Sequence, residues 1–116
     1  MTPQRFVAAM KKVIRTIAKS EAEYYERPES ATTPEHLAAF SAWYQRLSAK
    51  DRKIARRVIQ YASEGCLFTV LTYLDNIACL TEERGTFELW HVSERGKRTR
   101  LNAPDGQLLN ELFNNV

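Results

Sequence analysis

Asp75 and Asn76 are the residues of this chain with the clearest potential for chemistry. They interrupt its most apolar stretch, GCLFTVLTYLDNIACL, which covers residues 65–80. A carboxylate within an apolar helix can have a shifted pKa, and it could then act as a general base or as a metal ligand. Helical spacing also places Thr72 and Cys79 on the same polar strip, and such a strip more commonly faces water or caps a neighbouring helix. We therefore expect a structural role for Asp75.

The two cysteines and two histidines give no metal or redox pattern. Cys66 and Cys79 are separated by about 20 Å if the segment is helical, whereas a disulfide needs Cα atoms within about 7 Å of each other. Neither CxxC nor HxxxH spacing is present, so no zinc site is predicted. We expect two buried thiols. We expect His36 to lie at the surface, since no nucleophile or carboxylate has a fixed local spacing from it.

The sequence contains none of the short motifs that carry common catalytic or cofactor chemistry. GxGxxG, the P-loop GK[ST], HExxH, GxSxG and the EF-hand loop are all absent, and the four glycines are too few for a phosphate-binding loop. Glu82, Glu83 and Glu94 lack the spacing of a two-carboxylate hydrolase. We predict that the chain is not an enzyme and uses no cofactor.

Apolar periodicity and capping residues define the elements that must position any site. Thr2 and Pro3 should begin the first helix, and the residue before Pro28 should end it because the proline ring disfavours helical backbone there. Gly65 should end the third helix, since glycine commonly adopts the left-handed conformation after a helix. The predicted elements are helices at about 3–26, 34–48, 50–64 and 66–80, a loop at 28–33, a β-hairpin at about 86–101 and a short helix at about 105–114.

Helical wheels predict which faces these helices bury. Apolar residues cover more than half of the circumference of helix 66–80, so this helix should be packed on several sides. The inward stripes are Phe6, Met10, Val13, Ile14 and Ile17 in the first helix, Leu37, Phe40, Trp43, Tyr44 and Leu47 in the second, and Ile54, Ala55, Val58, Ile59, Tyr61 and Ala62 in the third. We predict a mainly α (α+β) fold, a small bundle of four to five helices packed around helix 66–80, with one C-terminal β-hairpin.

Length and composition are those of an ordinary globular protein. The chain has 116 residues, 44% hydrophobic and 27% charged, so we predict a single domain over residues 1–116. The longest apolar run is shorter than the roughly 20 residues of a membrane span. No uninterrupted apolar core of signal-peptide length is present, so the cytoplasm is the expected compartment. The basic N-terminus also has features of a transit peptide, but Glu21, Glu23 and Glu26 continue its helical period and favour a structural helix.

Without catalytic machinery, the chain should act by presenting a surface to another macromolecule, and the hairpin is the favoured surface. The candidate partner-binding residues are Trp90, His91, Arg95, Lys97, Arg98 and Arg100. Trp90 is the expected anchor. The predicted function is a non-enzymatic protein-binding module, a small cytoplasmic inhibitor or immunity protein that neutralises a partner toxin or enzyme. An adaptor, an assembly factor and a homodimer fit the same sequence.

The alternative hypothesis is a nucleic-acid-binding accessory protein that uses the basic face of helix 50–64 together with the basic hairpin. The candidate residues on the helix are Arg52, Lys53, Arg56 and Arg57, which could neutralise phosphates. The net charge of +3, from 17 Lys and Arg against 14 Asp and Glu, is modest for a dedicated nucleic-acid binder. Basic arcs on amphipathic helices are also commonly solvated faces, so the protein-partner hypothesis is preferred.

Overall fold

Four helices and one two-stranded antiparallel sheet form the part of the chain that this computed structural model describes, residues 1–27, 30 and 32–116. In chain order the elements are α1 (Pro3–Tyr25), α2 (Glu35–Gln45), α3 (Ala49–Leu74), β1 (Trp90–Val92), β2 (Arg98–Arg100) and α4 (Leu109–Asn114). The predicted mainly α class with a C-terminal β-hairpin is confirmed. Residues 28, 29 and 31 of the predicted loop 28–33 lie outside the described residues.

The described residues form two compact units. The terminal unit consists of Met1–Val13 and Gly65–Val116, and the middle unit consists of Ile14–Glu64. Helices α1 and α3 each contribute residues to both units. A single domain over residues 1–116 stays a prediction.

The predicted break between the third and fourth helices is wrong, because α3 runs without interruption from Ala49 to Leu74. The predicted helices 50–64 and 66–80 are therefore one helix with Gly65 inside it. A glycine inside a helix costs about 1 kcal/mol relative to alanine. Extending a formed helix adds one hydrogen bond for each residue that is fixed, so a single glycine does not have to end it.

The residue that ends α3 is Asn76, which has a left-handed backbone with φ of 60°. The Asn76 N–H donates to the Tyr73 carbonyl at 3.0 Å, and the Ile77 N–H donates to the Thr72 carbonyl at 3.4 Å. This pair of bonds is the Schellman arrangement of helix C-termini. Asparagine tolerates the left-handed conformation better than most residues, so it takes the role that the sequence assigns to glycine.

Burial in the predicted central segment is one-sided. Leu67 and Leu71 are buried, whereas Val70, Ile77 and Leu80 are exposed. Helix 66–80 was expected to be packed on several sides, and the structure differs because the helix ends at Leu74 and leaves residues 75–80 in a turn.

The middle unit buries small side chains and one tyrosine. Its core contains Ala18 and Ala22 of α1, Ser41 and Tyr44 of α2 and Ala55 of α3. Small side chains allow helices to approach closely, and this leaves less room between them for large ones. Apolar residues that the helical wheels place inward are instead exposed: Ile17, Phe40, Trp43, Ile54, Val58 and Tyr61.

The terminal unit has a core of larger apolar residues. Val7, Leu67, Leu71, Leu101, Leu109, Leu112 and Phe113 are buried. The Phe113 and Phe68 ring centroids lie 5.8 Å apart. Lys11 Nζ lies 4.3 Å from the centroid of the Phe113 ring, and it donates hydrogen bonds to the carbonyls of Phe113 and Val116 at 2.9 and 2.7 Å. These contacts attach the C-terminal helix to α1 within the unit.

Candidate functional site

The two strands of the hairpin separate the candidate residues onto two faces. Strands β1 and β2 pair with Trp90 opposite Arg100, His91 opposite Thr99 and Val92 opposite Arg98. Side chains alternate between the faces of a strand. The outer face of the hairpin therefore carries Trp90, Val92, Arg98 and Arg100, and the opposite face carries His91 and Thr99. On the outer face Trp90 and Val92 are 40% and 57% exposed and Arg98 is exposed, whereas Arg100 is half-buried, as are His91 and Thr99 on the opposite face.

Trp90 is held in place by charged neighbours. The Arg98 guanidinium lies 4.8 Å from the centroid of the indole ring, a cation–π distance. The indole N–H of Trp90 donates to Glu88 Oε2 at 3.1 Å, and Glu88 Oε1 pairs with the Arg100 guanidinium at 3.2 Å. The ring thus stays partly exposed while its orientation is fixed from two sides.

Arg95 and Lys97 lie in the turn, beyond the ends of the paired strands. Gly96 has a φ of 81°, its N–H donates to the Ser93 carbonyl at 2.8 Å, and the Ser93 N–H donates to the Lys97 carbonyl at 2.9 Å. The turn lies within the predicted hairpin at about 86–101, and both basic side chains are exposed. The hairpin therefore adds two cations to the arginines of its outer face.

The hairpin is anchored by Asn102, a buried residue that sequence reasoning missed. Its Oδ1 accepts a hydrogen bond from the Leu89 N–H at 2.8 Å, and its Nδ2 donates to the carbonyls of Phe87, at 3.0 Å, and Leu74. Asn76 adds two bonds to the backbone of Phe87, at 2.7 and 3.1 Å. Two asparagine side chains thus attach the segment that precedes β1 to the end of α3. Asn76 is marked in the sequence as a polar residue within an apolar stretch, whereas no sequence pattern marks Asn102.

Asp75 caps helix α4. Its two carboxylate oxygens accept hydrogen bonds from the backbone N–H groups of Leu109 and Asn110, each at 2.8 Å. These N–H groups lie in the first turn of the helix and have no partner within it. The expected structural role of Asp75 agrees with this geometry. The same residue was the sequence candidate for a general base.

The other candidates for chemistry stand apart from one another. Cys66 and Cys79 are exposed free thiols, so the expectation that they are buried is wrong; the helix ends before Cys79, and Cys66 lies on an outer side of α3. His36 is exposed, with its ring centroid 6.2 Å from that of Phe40. Within residues 1–27, 30 and 32–116, no group of three or more His, Cys, Asp or Glu side chains is arranged to hold a metal ion.

The four basic residues of the alternative nucleic-acid-binding face differ in their contacts with the rest of the middle unit. Arg56 pairs with Glu26 at 3.0 Å and donates to the Tyr44 hydroxyl at 3.1 Å. These contacts raise the pKa of Arg56, and the hydrogen bond to Tyr44 is the largest cause. Arg52 donates to the Gln45 carbonyl at 2.8 Å and lies 5.6 Å from the centroid of the Tyr44 ring. Lys53 and Arg57 are exposed. Two of the four cations are thus already engaged within the middle unit.

A comparison with protein-family models, curated proteins and solved structures found no match to this chain. None of the described helices combines the length and the apolar character needed to cross a bilayer.

Proposed function

We propose that the chain is a non-enzymatic protein-binding module and that the outer face of the hairpin is its recognition surface. The observation that carries this proposal is the arrangement of Trp90, which stays 40% exposed between Arg98 and Glu88. Tryptophan and arginine are the residues most enriched among those that dominate protein interfaces. A side chain already held in its orientation also loses less conformational entropy on binding.

The charge around Trp90 favours an acidic partner surface. The hairpin carries four cations, Arg95, Lys97, Arg98 and Arg100, against two carboxylates, Glu88 and Glu94, and one of the four, Arg100, is already paired with Glu88. Complementary charge speeds association and discriminates against wrong partners. An acidic patch with an apolar pocket for the indole ring fits these features.

An inhibitor or immunity protein is one concrete form of this proposal. Such a protein would cover the active site of a toxin or enzyme in the cytoplasm with its outer hairpin face. An adaptor or an assembly factor would use the same face on a different partner. The hairpin chemistry supports all three, because each needs a rigid surface and none needs a catalytic group.

The two tryptophans of the chain provide a matched test. Trp43, on α2, is 50% exposed, so a change at Trp43 removes a comparable exposed ring away from the hairpin. The tagged chain is used to recover a partner, and binding is then measured for Trp90→Ala and Trp43→Ala. We expect at least a tenfold loss of affinity for Trp90→Ala and little change for Trp43→Ala. Equal affinities for both variants would contradict the proposal.

The same purification discriminates against the nucleic-acid alternative when it is run at low and high salt. Recovery of nucleic acid that falls steeply as salt rises, and that is lost when Arg52, Arg56 and Arg57 are changed to Glu, would favour the alternative. A protein partner that survives nuclease treatment and depends on Trp90 is the result expected here.

A further inference from the structure

We propose that the outer side of α3 in the middle unit binds a second copy of this chain, with the two α3 helices antiparallel. This surface is separate in sequence from the hairpin, and the inference does not depend on the hairpin's partner. It rests on an apolar stripe and on two opposite charges at one edge of that stripe.

The stripe consists of Ile54, Val58 and Tyr61, which are 50%, 60% and 81% exposed. Their spacing of four and then three residues is the spacing of the core positions in a coiled coil. Single exposed apolar residues are common, but a line of them on one helical face is typical of a contact surface. The buried side of α3 in this unit includes Ala55, about a quarter turn away from Ile54.

Arg57 and Glu64 border the stripe on one edge. Together with Gln60 and the three apolar residues, they line a shallow surface depression on α3. Arg57 and Glu64 are seven residues apart, so they hold equivalent positions in successive heptads. Each lies immediately before a core position. The stripe therefore has a positive and a negative charge along the same edge.

An antiparallel pair makes these charges complementary. When Val58 of each helix lies opposite Tyr61 of the other, Arg57 of one copy lies beside Glu64 of the second copy. The two-fold axis repeats the contact, so one self-complementary surface gives two ion pairs and closes as a dimer. A parallel pair would place the two Arg57 side chains at the same level and would lose this match.

The contacts within the chain leave these groups able to pair. No hydrogen bond or ion pair of Arg57 is found among the described residues. The Glu64 side chain is 17% exposed and already accepts a hydrogen bond from the Arg15 Nε–H on Oε1 at 2.6 Å, a bond that does not use Oε2. The Arg15 bond also restricts the rotamers of Glu64, which lowers the entropy that its carboxylate loses on meeting a second cation.

Sedimentation velocity over a range of about 1 μM to 1 mM protein tests the dimer, since a small, partly polar interface should associate in this range. We expect the mass to rise from the 13.4 kDa of the monomer towards twice that value as concentration rises. Val58→Lys should raise the dissociation constant at least tenfold. Val13→Lys changes a valine of similar exposure on α1 and should leave the dissociation constant unchanged. A chain that stays monomeric throughout, or equal effects of the two variants, would overturn the proposal.

A charge exchange tests the antiparallel register. Arg57→Glu places carboxylates at both contacts of a homodimer, and Glu64→Arg places guanidinium groups at both, so each variant alone should be monomeric. Mixing the two variants should restore a one-to-one dimer, because every contact then joins a carboxylate to a guanidinium. Circular dichroism of each variant confirms that it is folded. A mixture of folded variants that stays monomeric would contradict the pairing of Arg57 with Glu64.

Discussion

The Asp75 carboxylate accepts hydrogen bonds from two backbone N–H groups at the start of α4. This role explains why a charged residue interrupts an apolar segment. The sequence marks Asp75 as polar among apolar residues and favours exposure to water or a helix cap over a catalytic group. It does not identify α4 as the helix that is capped, because Leu109 is 34 positions further along the chain. Local patterns carry no information about contacts at that separation.

Replacing Asp75 with Ala should destabilise the fold by about 1–2 kcal/mol, the usual cost of losing a helix cap. Both N–H groups of α4 would then lack their acceptor. The free energy of unfolding in urea measures the effect. Asp105→Ala is the control, since Asp105 is exposed in a turn and should change stability by less than about 0.5 kcal/mol. Equal losses in the two variants would show that Asp75 contributes only its charge.

Asn102 should be more sensitive than Asp75 because it is buried and bonds three backbone groups. Asn102→Ala leaves the Leu89 N–H without its acceptor and removes one of the two side-chain donors from the Phe87 and Leu74 carbonyls, and we expect a loss of about 2–3 kcal/mol. Asn114→Ala, at an exposed position of α4, is the matched control. An Asn102→Ala protein as stable as the control would mean that the hairpin is not anchored through this side chain.

Tyr25 gives the middle unit a pH dependence in the alkaline range. Burial, together with the hydrogen bond and charge of Glu21, raises the pKa of Tyr25 above its ordinary value of 10.0. The folded chain therefore holds the phenolic proton more tightly than the unfolded chain does. The resulting stabilisation is complete below pH 10.0 and is lost as the pH rises through the folded pKa.

Tyr25→Phe should reduce the loss of stability as the pH rises above 10.0, because the titrating group is removed. Urea unfolding at several pH values in this range provides the comparison with the unchanged chain. Tyr24→Phe, at the exposed neighbouring position, should preserve the dependence of the unchanged chain. The account of Tyr25 would fail if the two variants had the same alkaline slope.

Among the elements, α1 and the hairpin turn follow from local sequence, whereas the end of α3 does not. Thr2 caps α1, and its Oγ1 accepts a hydrogen bond from the Arg5 N–H at 3.2 Å. Gly96 adopts the positive φ that the turn needs. In α3, Gly65 was expected to end the helix because glycine commonly adopts the left-handed conformation there, but the left-handed residue at its end is Asn76. The choice depends on tertiary bonds, since the side chain of Asn76 also bonds the backbone of Phe87.

Gly65→Ala should stabilise the chain by about 0.5–1 kcal/mol, because alanine is the better helix former. A Cβ at this position would meet no atom within 4 Å. The control is Gly96→Ala, which also places its Cβ in open space but has a φ of 81° and should be destabilising. Urea unfolding of both variants gives the comparison. A destabilising Gly65→Ala would mean that α3 needs its glycine.

The structure buries only part of the faces that helical wheels assign to the interior, and Tyr44 and Ala55 are among the residues buried as predicted. The middle unit packs through alanines and a serine, and Ile54, Val58 and Tyr61 of α3 are left exposed. Periodicity identifies an apolar face but cannot tell whether it meets the same chain or another one. The candidate hairpin residues were predicted as one set, and the register assigns Trp90, Arg98 and Arg100 to one face and His91 to the other.

The outer face of the hairpin is proposed to contact a protein partner through Trp90. The chain has two indole N–H groups, those of Trp43 and Trp90, so each gives one signal in a proton–nitrogen correlation spectrum of the labelled chain. Titration with the recovered partner should shift or broaden the Trp90 signal and leave the Trp43 signal in place. A bound complex in which the Trp90 signal is unchanged would contradict the account.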